Sequence, residues 1–250
     1  MRSWTKSSPP DGFGFLFSHS MTSRLVCALM PAPAAQSSRL RTRRLRGMSL
    51  TEHALAAVTG LGHGPVGLLG SAAAAFAAVS TPSESTPAAR VEHAGATSPL
   101  TLPAASDDLP ALLAPALAWA ESLRADAILL HDLSRPLTPR SVMERVISTW
   151  RHTGHTTVPA VAVTDSVKAV QRGGDLVNID RSTLVALQSP IVAPVAALRR
   201  VLAQGGSLSS LAHALRERGE PVQVVNGSQA GEPIMDELSL LRAQTAFTER

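Results

Sequence analysis

Apolar and polar positions fall into two alternating rhythms along this chain. After its first residue, Arg24–Met30 is an unbroken apolar run ahead of a Pro-rich turn, which predicts a buried strand. Ser49–Val58 takes helical spacing. Its opening Ser49-Leu50-Thr51-Glu52 sets a hydroxyl three residues before a carboxylate, the spacing of a capping box. Pro65–Leu69 is a weaker strand. Residues 71–106 are rich in Ala, Ser, Thr and Pro and carry little pattern, so an irregular segment is predicted, with at most a short strand around Ala89–His93.

From Asp107 the pattern sharpens. Asp107–Arg124 reads as a long apolar helix with two acids in its first turn. Ala127–Leu130 reads as a short buried strand that ends at His131-Asp132, and Pro139–Arg151 as an amphipathic helix. Strands follow at Thr157–Val163 and Leu176–Ile179, then helices at Pro194–Gln204 and Leu208–Arg218. A strand at Pro221–Val225 and a helix at Met235–Thr248 close the chain. Gly173-Gly174-Asp175 has the composition of a hairpin turn. Strands alternating with helices predict an α/β fold of three layers around a mostly parallel sheet. In such sheets ligands bind beyond the C-terminal ends of the strands, so the polar residues just after each strand are the candidates for chemistry.

Composition narrows the picture. Hydrophobic residues are 44% of the 250 and aromatics only 3%, with no Tyr. The core is therefore aliphatic, and a base-stacking surface for single-stranded nucleic acid is excluded. The formal charge of +4 is uneven: the first fifty residues hold eight basic groups and one acid, and the remainder sums to −3. The basic pI thus belongs to the N-terminus and is no nucleic-acid signature. Lysine is confined to Lys6 and Lys168; every other basic residue is Arg. The single Cys27 lies in an apolar run and reads as a buried strand residue. No apolar stretch has membrane length, and Gly12–Phe17 is too short for a secretory core. Residues 1–20 read as a disordered extension or a misassigned start, with one domain over 21–250.

Three polar clusters follow apolar runs: His131-Asp132-Leu133-Ser134-Arg135-Pro136, Thr164-Asp165-Ser166-Val167-Lys168, and Asn178-Ile179-Asp180-Arg181-Ser182 with Gln188-Ser189-Pro190 behind it. An Asp leaving a buried strand can hold a divalent metal or a sugar hydroxyl. An Arg three residues on can grip a phosphate with its planar fork. Read singly, each cluster is equally an ordinary capped turn. His152 and His155 have a spacing that a metal can use, but no third ligand accompanies them.

Taken together and in this order, the clusters resemble the 2-C-methyl-D-erythritol 4-phosphate cytidylyltransferases of isoprenoid synthesis. That family has H-D-A-A-R-P, then P-A-x-P-V-T-D-T-x-K, then V-D-R-S-x-L-x-x-x-Q-T-P. This chain has HDLSRP from His131, PAVAVTDSVK from Pro159 and IDRSTLVALQSP from Ile179. The resemblance implies a Rossmann-like nucleotidyltransferase fold with a protruding β-arm at about 155–190. It implies a cytoplasmic homodimer in which each arm completes the partner's site, or a heterodimer with an active homologue, and neither a nucleic-acid nor a membrane partner. By motif, Asp132, Arg135, Asp165, Ser166 and Arg181 would surround the sugar phosphate. Pro31, Ala32 and Asp132 would meet CTP, Asp132 would hold Mg²⁺, and Arg39 would be the catalytic loop arginine. Ser166 keeps the hydroxyl of the family's Thr, while Leu133 and Ser134 replace two alanines and alter the expected pocket wall.

The nucleotide side departs from the family. Where the family has P-A-A-G-x-G-x-R, this chain has Pro31-Ala32-Pro33-Ala34-Ala35-Gln36-Ser37-Ser38-Arg39, with both loop glycines gone and an N–H lost at Pro33. Arg41–Gly47 arrives in place of a Pro-Lys pair, and the Arg39–Arg46 run is either an anion-binding loop or a solvated basic turn. Gly231–Glu237 lacks the lysine of the family's N-x-K-x-T-x-P-E-D pattern, and His93–Leu100 lacks the arginine of its cytosine-reading stretch. Two readings follow: a cytidylyltransferase joining CTP to methylerythritol phosphate with release of pyrophosphate, and a silent family member acting as a binding or regulatory partner.

Overall fold

The computed structural model describes residues 24–32, 36, 40, 43–80, 99–202 and 208–248. The strand β1 (Leu25–Met30) is followed by a small hairpin of β2 (Arg44–Leu45) and β3 (Met48–Ser49), helix α1 (Leu50–Thr59), β4 (Val66–Leu69), α2 (Ser71–Ser80), β5 (Leu100–Leu102) and α3 (Leu109–Ser122). Next come β6 (Ala127–Asp132), α4 (Arg140–Thr153), β7 (Thr156–Ala162), β8 (Val167–Val170), β9 (Leu176–Ile179), β10 (Val185–Leu187) and β11 (Ile191–Pro194). The chain closes with α5 (Val195–Val201), α6 (Leu208–Glu217), β12 (Val222–Asn226) and α7 (Glu237–Thr248).

The main sheet runs β10-β7-β11-β6-β1-β4-β5, with β12 beside β7. The pairs β6–β1, β1–β4, β4–β5 and β12–β7 are parallel, whereas β11 runs antiparallel between β6 and β7. All six residues of β1 are buried because both sheet faces are covered. Alternation sorts them. Val26, Ala28 and Met30 join Ile128 and Leu130 against α3, α5 and α6. Leu25, Cys27 and Leu29 join Ala127 and Leu129 against α1, α2 and α4. The three-layer α/β expectation therefore holds. Burial pushes the Cys27 thiol up to about 12, so it stays an inert core group.

The capping box is present: Glu52 N donates to Ser49 Oγ at 3.1 Å and Ser49 N to the Glu52 carboxylate at 2.6 Å. Residues 71–106 need correction. Ser71–Ser80 is a helix, and the strand in this region is Leu100–Leu102; the expected Ala89–His93 strand lies outside the described residues. An alanine-rich helix hides from periodicity because Ala contrasts weakly with either face. The two acids before α3 also differ from expectation. Asp108 is its N-cap, accepting from Ala111 N at 2.9 Å, while Asp107 accepts from Ser71 N at 3.0 Å and so serves the start of α2. The strands β10 and β11 were not anticipated, because three- and four-residue apolar runs are too short for the pattern to declare.

A third apolar cluster, Leu40, Leu45, Leu50, Ile234 and Leu240, packs the segment after β1 against α7. Of the stretch 155–190, Thr156–Ala162 and Val185–Leu187 belong to the main sheet, while β8 and β9 form a two-stranded sheet of their own. Among the described residues no helix is long and apolar enough to cross a membrane.

Leu129 is fully buried at the centre of the sheet. Leu129→Ala is expected to cost about 3 kcal/mol of stability, measured by urea denaturation at an unchanged m-value.

Candidate functional site

Chain direction across the sheet reverses between β1 and β6. From β1 the chain moves outward to β4 and β5; α3 then returns it to β6 on the other side of β1. The crevice at such a switch point, beyond the strands' carboxyl ends, is where open α/β sheets bind ligands. Register places Met30 opposite Asp132, and Leu133 N donates to Met30 O at 3.1 Å. Half-buried Pro31 and buried Ala32 thus leave the sheet beside Asp132. Arg39 lies outside the described residues.

The loop after β6 is a tight polar turn. Asp132 Oδ1 accepts from Ser134 N at 2.7 Å, and Arg135 N donates to Asp132 O at 3.0 Å. Burial pushes the Asp132 carboxyl above the usual carboxylate range. The Ser134 amide and hydroxyl and the Arg135 charge pull it part of the way back. The Arg135 guanidinium is also largely buried. Desolvation lowers its pKa, and Asp132 and Glu232 oppose that shift. The fold has thus already stripped much of the water from this guanidinium. Leu133, expected in the pocket wall, instead packs into the core against α1, α2 and α4.

The floor of the site is a second loop, 227–234, between β12 and α7. Arg135 Nη1 donates to Gly231 O at 2.5 Å, Ile234 N donates to Ser134 O at 2.7 Å, and the buried Gln36 side chain donates to Ile234 O at 2.6 Å. Gln188 grips the loop's start, donating to Ser228 O at 2.9 Å and accepting from Ser228 N at 3.0 Å. A Cβ at Gly227 would stand 2.2 Å from Gln188 Oε1, so only glycine lets this clamp close. Behind Asp132, His131 is buried completely, with Nδ1 at 2.7 Å from Ser189 Oγ. Desolvation pulls this imidazole down to about 3, and it is neutral at physiological pH. Sequence reasoning set His131, Gln188 and Ser189 in its polar clusters without giving them a role, and gave none to Gln36 or Gly231. The available signal was a His closing an apolar strand and a Gln-Ser-Pro opening the next one.

The arm residues gather elsewhere. Arg181 Nη1 donates to Thr164 O, which ties the end of β9 to the approach to β8 and sets Arg181 near Asp165 and Ser166 at the base of the hairpin. All three are exposed. Among the described residues no hydrogen bond or ion pair links them to Asp132 or Arg135 of the same chain. No cluster of three or more His, Cys, Asp or Glu side chains suited to a metal occurs among the described residues.

Comparison with known proteins fits this geometry. The family model for 2-C-methyl-D-erythritol 4-phosphate cytidylyltransferase matches residues 115–249, more than half of the chain. This chain belongs to that family. Curated relatives include the cytidylyltransferases of Rhodococcus jostii, 33% identical over 127 residues (50% of this chain and 56% of the relative), and of Saccharopolyspora erythraea, 35% identical over 116 residues (45% and 52%). The chain spans about half the length of the curated relatives it matches. The fold extends further than the sequence match. The solved enzyme from Thermus thermophilus superimposes with a TM-score of 0.62 at 21% identity, covering 89% of this chain and 98% of that one. The Anaerococcus prevotii synthase gives 0.68 at 16% identity, covering 91% and 99%.

The cytidylyltransferase match begins within α3, so the divergent half of the chain carries the loop after β1. The basic run there is partly committed. Arg43 pairs with Glu237 at 3.0 Å, and Arg44 Nη1 bonds Gly47 O at 2.5 Å within its own hairpin. Lys168 sits on the arm opposite Asn178.

Because the folded Asp132 carboxyl is raised above its unfolded value, its ionisation disfavours the folded state. The penalty is absent at acid pH, where both states are protonated, and complete once pH exceeds the folded value. Asp132→Asn is expected to melt above the parent protein at pH 7, with the gap closing as pH falls below the carboxylate range. Thermal melts across pH check this.

Proposed function

We propose that this chain is a cytidylyltransferase acting on 2-C-methyl-D-erythritol 4-phosphate. The observation that carries the reading is the half-buried Asp132 with Arg135 three residues on, at the switch point of a family fold, Arg135 bonded to the 227–234 loop. In the reaction a phosphate oxygen of the sugar phosphate bonds to the α-phosphorus of CTP. The bond from that phosphorus to the bridging β-oxygen breaks, and pyrophosphate leaves with the electron pair. A phosphate monoester is already anionic near neutral pH, so no general base is required. The protein's task is to align two anions and neutralise charge.

Arg135 is suited to the sugar phosphate and Asp132 to its hydroxyls or to Mg²⁺. A single carboxylate beside the phosphates fits the way Mg²⁺ is usually held, through one or two carboxylates and the substrate itself. The ion would offset phosphate charge as the α-phosphorus is attacked. A second copy of the chain would bring Asp165, Ser166 and Arg181 into the pocket through its arm. The arm's exposed apolar residues support this: Val170 is 73% and Leu176 61% exposed, and they face each other across the hairpin.

A specific observation favours a second reading, a sugar-phosphate-binding protein without nucleotidyl transfer. The loop after β1 lacks both glycines, and Arg43 and Arg44 are engaged with Glu237 and Gly47. Titration calorimetry separates the two. Under the first reading, CTP with Mg²⁺ binds more tightly than about 1 mM, roughly −4 kcal/mol, and pyrophosphate is released on adding the sugar phosphate. Sugar-phosphate binding with no CTP heat and no pyrophosphate establishes the second. Arg135→Ala is expected to weaken sugar-phosphate binding by roughly ten- to a hundredfold under either reading. Replacing Val170 and Leu176 together by Asp is expected to shift the protein from dimer to monomer in sedimentation velocity.

A further inference from the structure

The buried pair behind the site bears directly on its geometry. Ser189 Oγ accepts the Asp132 backbone N–H at 2.9 Å and lies 2.7 Å from His131 Nδ1. A hydroxyl has one hydrogen to give and two lone pairs to receive with. A neutral imidazole has one donor and one acceptor nitrogen. If the ring donated from Nδ1, Ser189 Oγ would receive two N–H groups and its own hydrogen would have no acceptor in any bond the structure contains. The arrangement that pairs every group at Ser189 runs in one direction: Asp132 N–H to Ser189 Oγ, then Ser189 O–H to His131 Nδ1, with the ring hydrogen on Nε2. That nitrogen is buried without a hydrogen-bond partner, and the Arg135 backbone is the polar group that favours its charge.

An unpartnered imidazole nitrogen in a fully buried strand is costly, and an aliphatic side chain would pack there with less penalty. The compensation is positional. Asp132 is the last residue of β6, where ladder pairing ends. Its amide is held by a serine on the segment leading into β11, immediately after Gln188, which clamps the 227–234 loop. The dipeptide Gln188-Ser189 therefore fastens both sides of the pocket: Ser189 the Asp132 backbone, and Gln188 the loop whose Gly231 carbonyl receives Arg135.

We propose that Ser189 and His131 are positioning residues that set the placement of the Asp132 carboxylate relative to Arg135, without touching substrate themselves. The proposal rests on the sugar-phosphate reading of the site. Ser189→Ala removes the hydroxyl while leaving the packing nearly unchanged. Ser189→Thr keeps it.

The test combines titration calorimetry with 2-C-methyl-D-erythritol 4-phosphate, thermal melting, and nitrogen-15 NMR of the histidine rings. Ser189→Ala is expected to weaken binding roughly tenfold or more, with Ser189→Thr restoring most of the affinity. The wild-type His131 ring is expected as the Nε2–H tautomer. A Ser189→Ala protein that melts earlier but binds as wild type reduces the pair to scaffolding and overturns the proposal. So does an Nδ1–H ring, or a Ser189→Thr protein as weak as the alanine variant. Wild-type protein that binds neither the sugar phosphate nor CTP defeats the functional reading instead. The placement claim is then decided by Asp132 amide exchange: faster exchange in Ser189→Ala than in Ser189→Thr upholds it, and equal exchange overturns it.

Discussion

Everything about the site follows from the parallel pairing of β1 with β6. Six consecutive residues, Leu25–Met30, lie against Ala127–Asp132 and are buried from both faces. A one-residue slip would turn every side chain of β1 to the opposite helical layer, so the register is set by two sets of apolar contacts at once. With the register set, Pro31 and Asp132 must emerge side by side. The position of the Asp132 carboxylate is thus a consequence of hydrophobic sorting between α3, α5 and α6 on one face and α1, α2 and α4 on the other.

Beyond the strand ends there is no such core, and polar contacts take over. The loops around Asp132 are held by a chain of hydrogen bonds to backbone carbonyls, three of them donated by side chains: Gln36 to Ile234, Ile234 N to Ser134, Arg135 to Gly231, and Gln188 to Ser228. Low local dielectric strengthens such bonds and makes their loss expensive. The apolar cluster of Leu40, Leu45, Leu50, Ile234 and Leu240 supports the outer side of this frame by binding the segment after β1 to α7. The same loop that fails to match the family's glycine pattern is therefore still fastened to the pocket through Gln36.

The charge distribution divides the molecule functionally. Arg135 is held beside Asp132 by partial burial, the Gly231 carbonyl and the neighbouring Asp132 and Glu232 charges. Arg43 and Arg44 lie at the surface and are engaged with Glu237 and a hairpin carbonyl. An exposed pair such as Arg43–Glu237 contributes little to stability and exchanges partners at small cost.

The amino-acid sequence by itself determined the layer architecture, the strands β1, β6, β7 and β12, the capped start of α1, and the placement of Asp132 and Arg135 directly after a buried strand. These are local properties: periodicity, a capping box, a polar motif ending an apolar run. Periodicity also marked β4, β9 and the helices α3 to α7, while other features were decided by tertiary structure alone. Helix α2 was illegible because alanine shows no amphipathic contrast, and β11 because four apolar residues declare neither period, although it is the strand that joins β6 to β7. Leu133 looked like a pocket residue from its motif and proved to be core, since the turn after β6 directs it inward. Gln36, Gln188 and Ser189 are ordinary polar residues in the chain. They matter because folding brings them to partners as much as 198 residues away, a coincidence of space that no local pattern encodes.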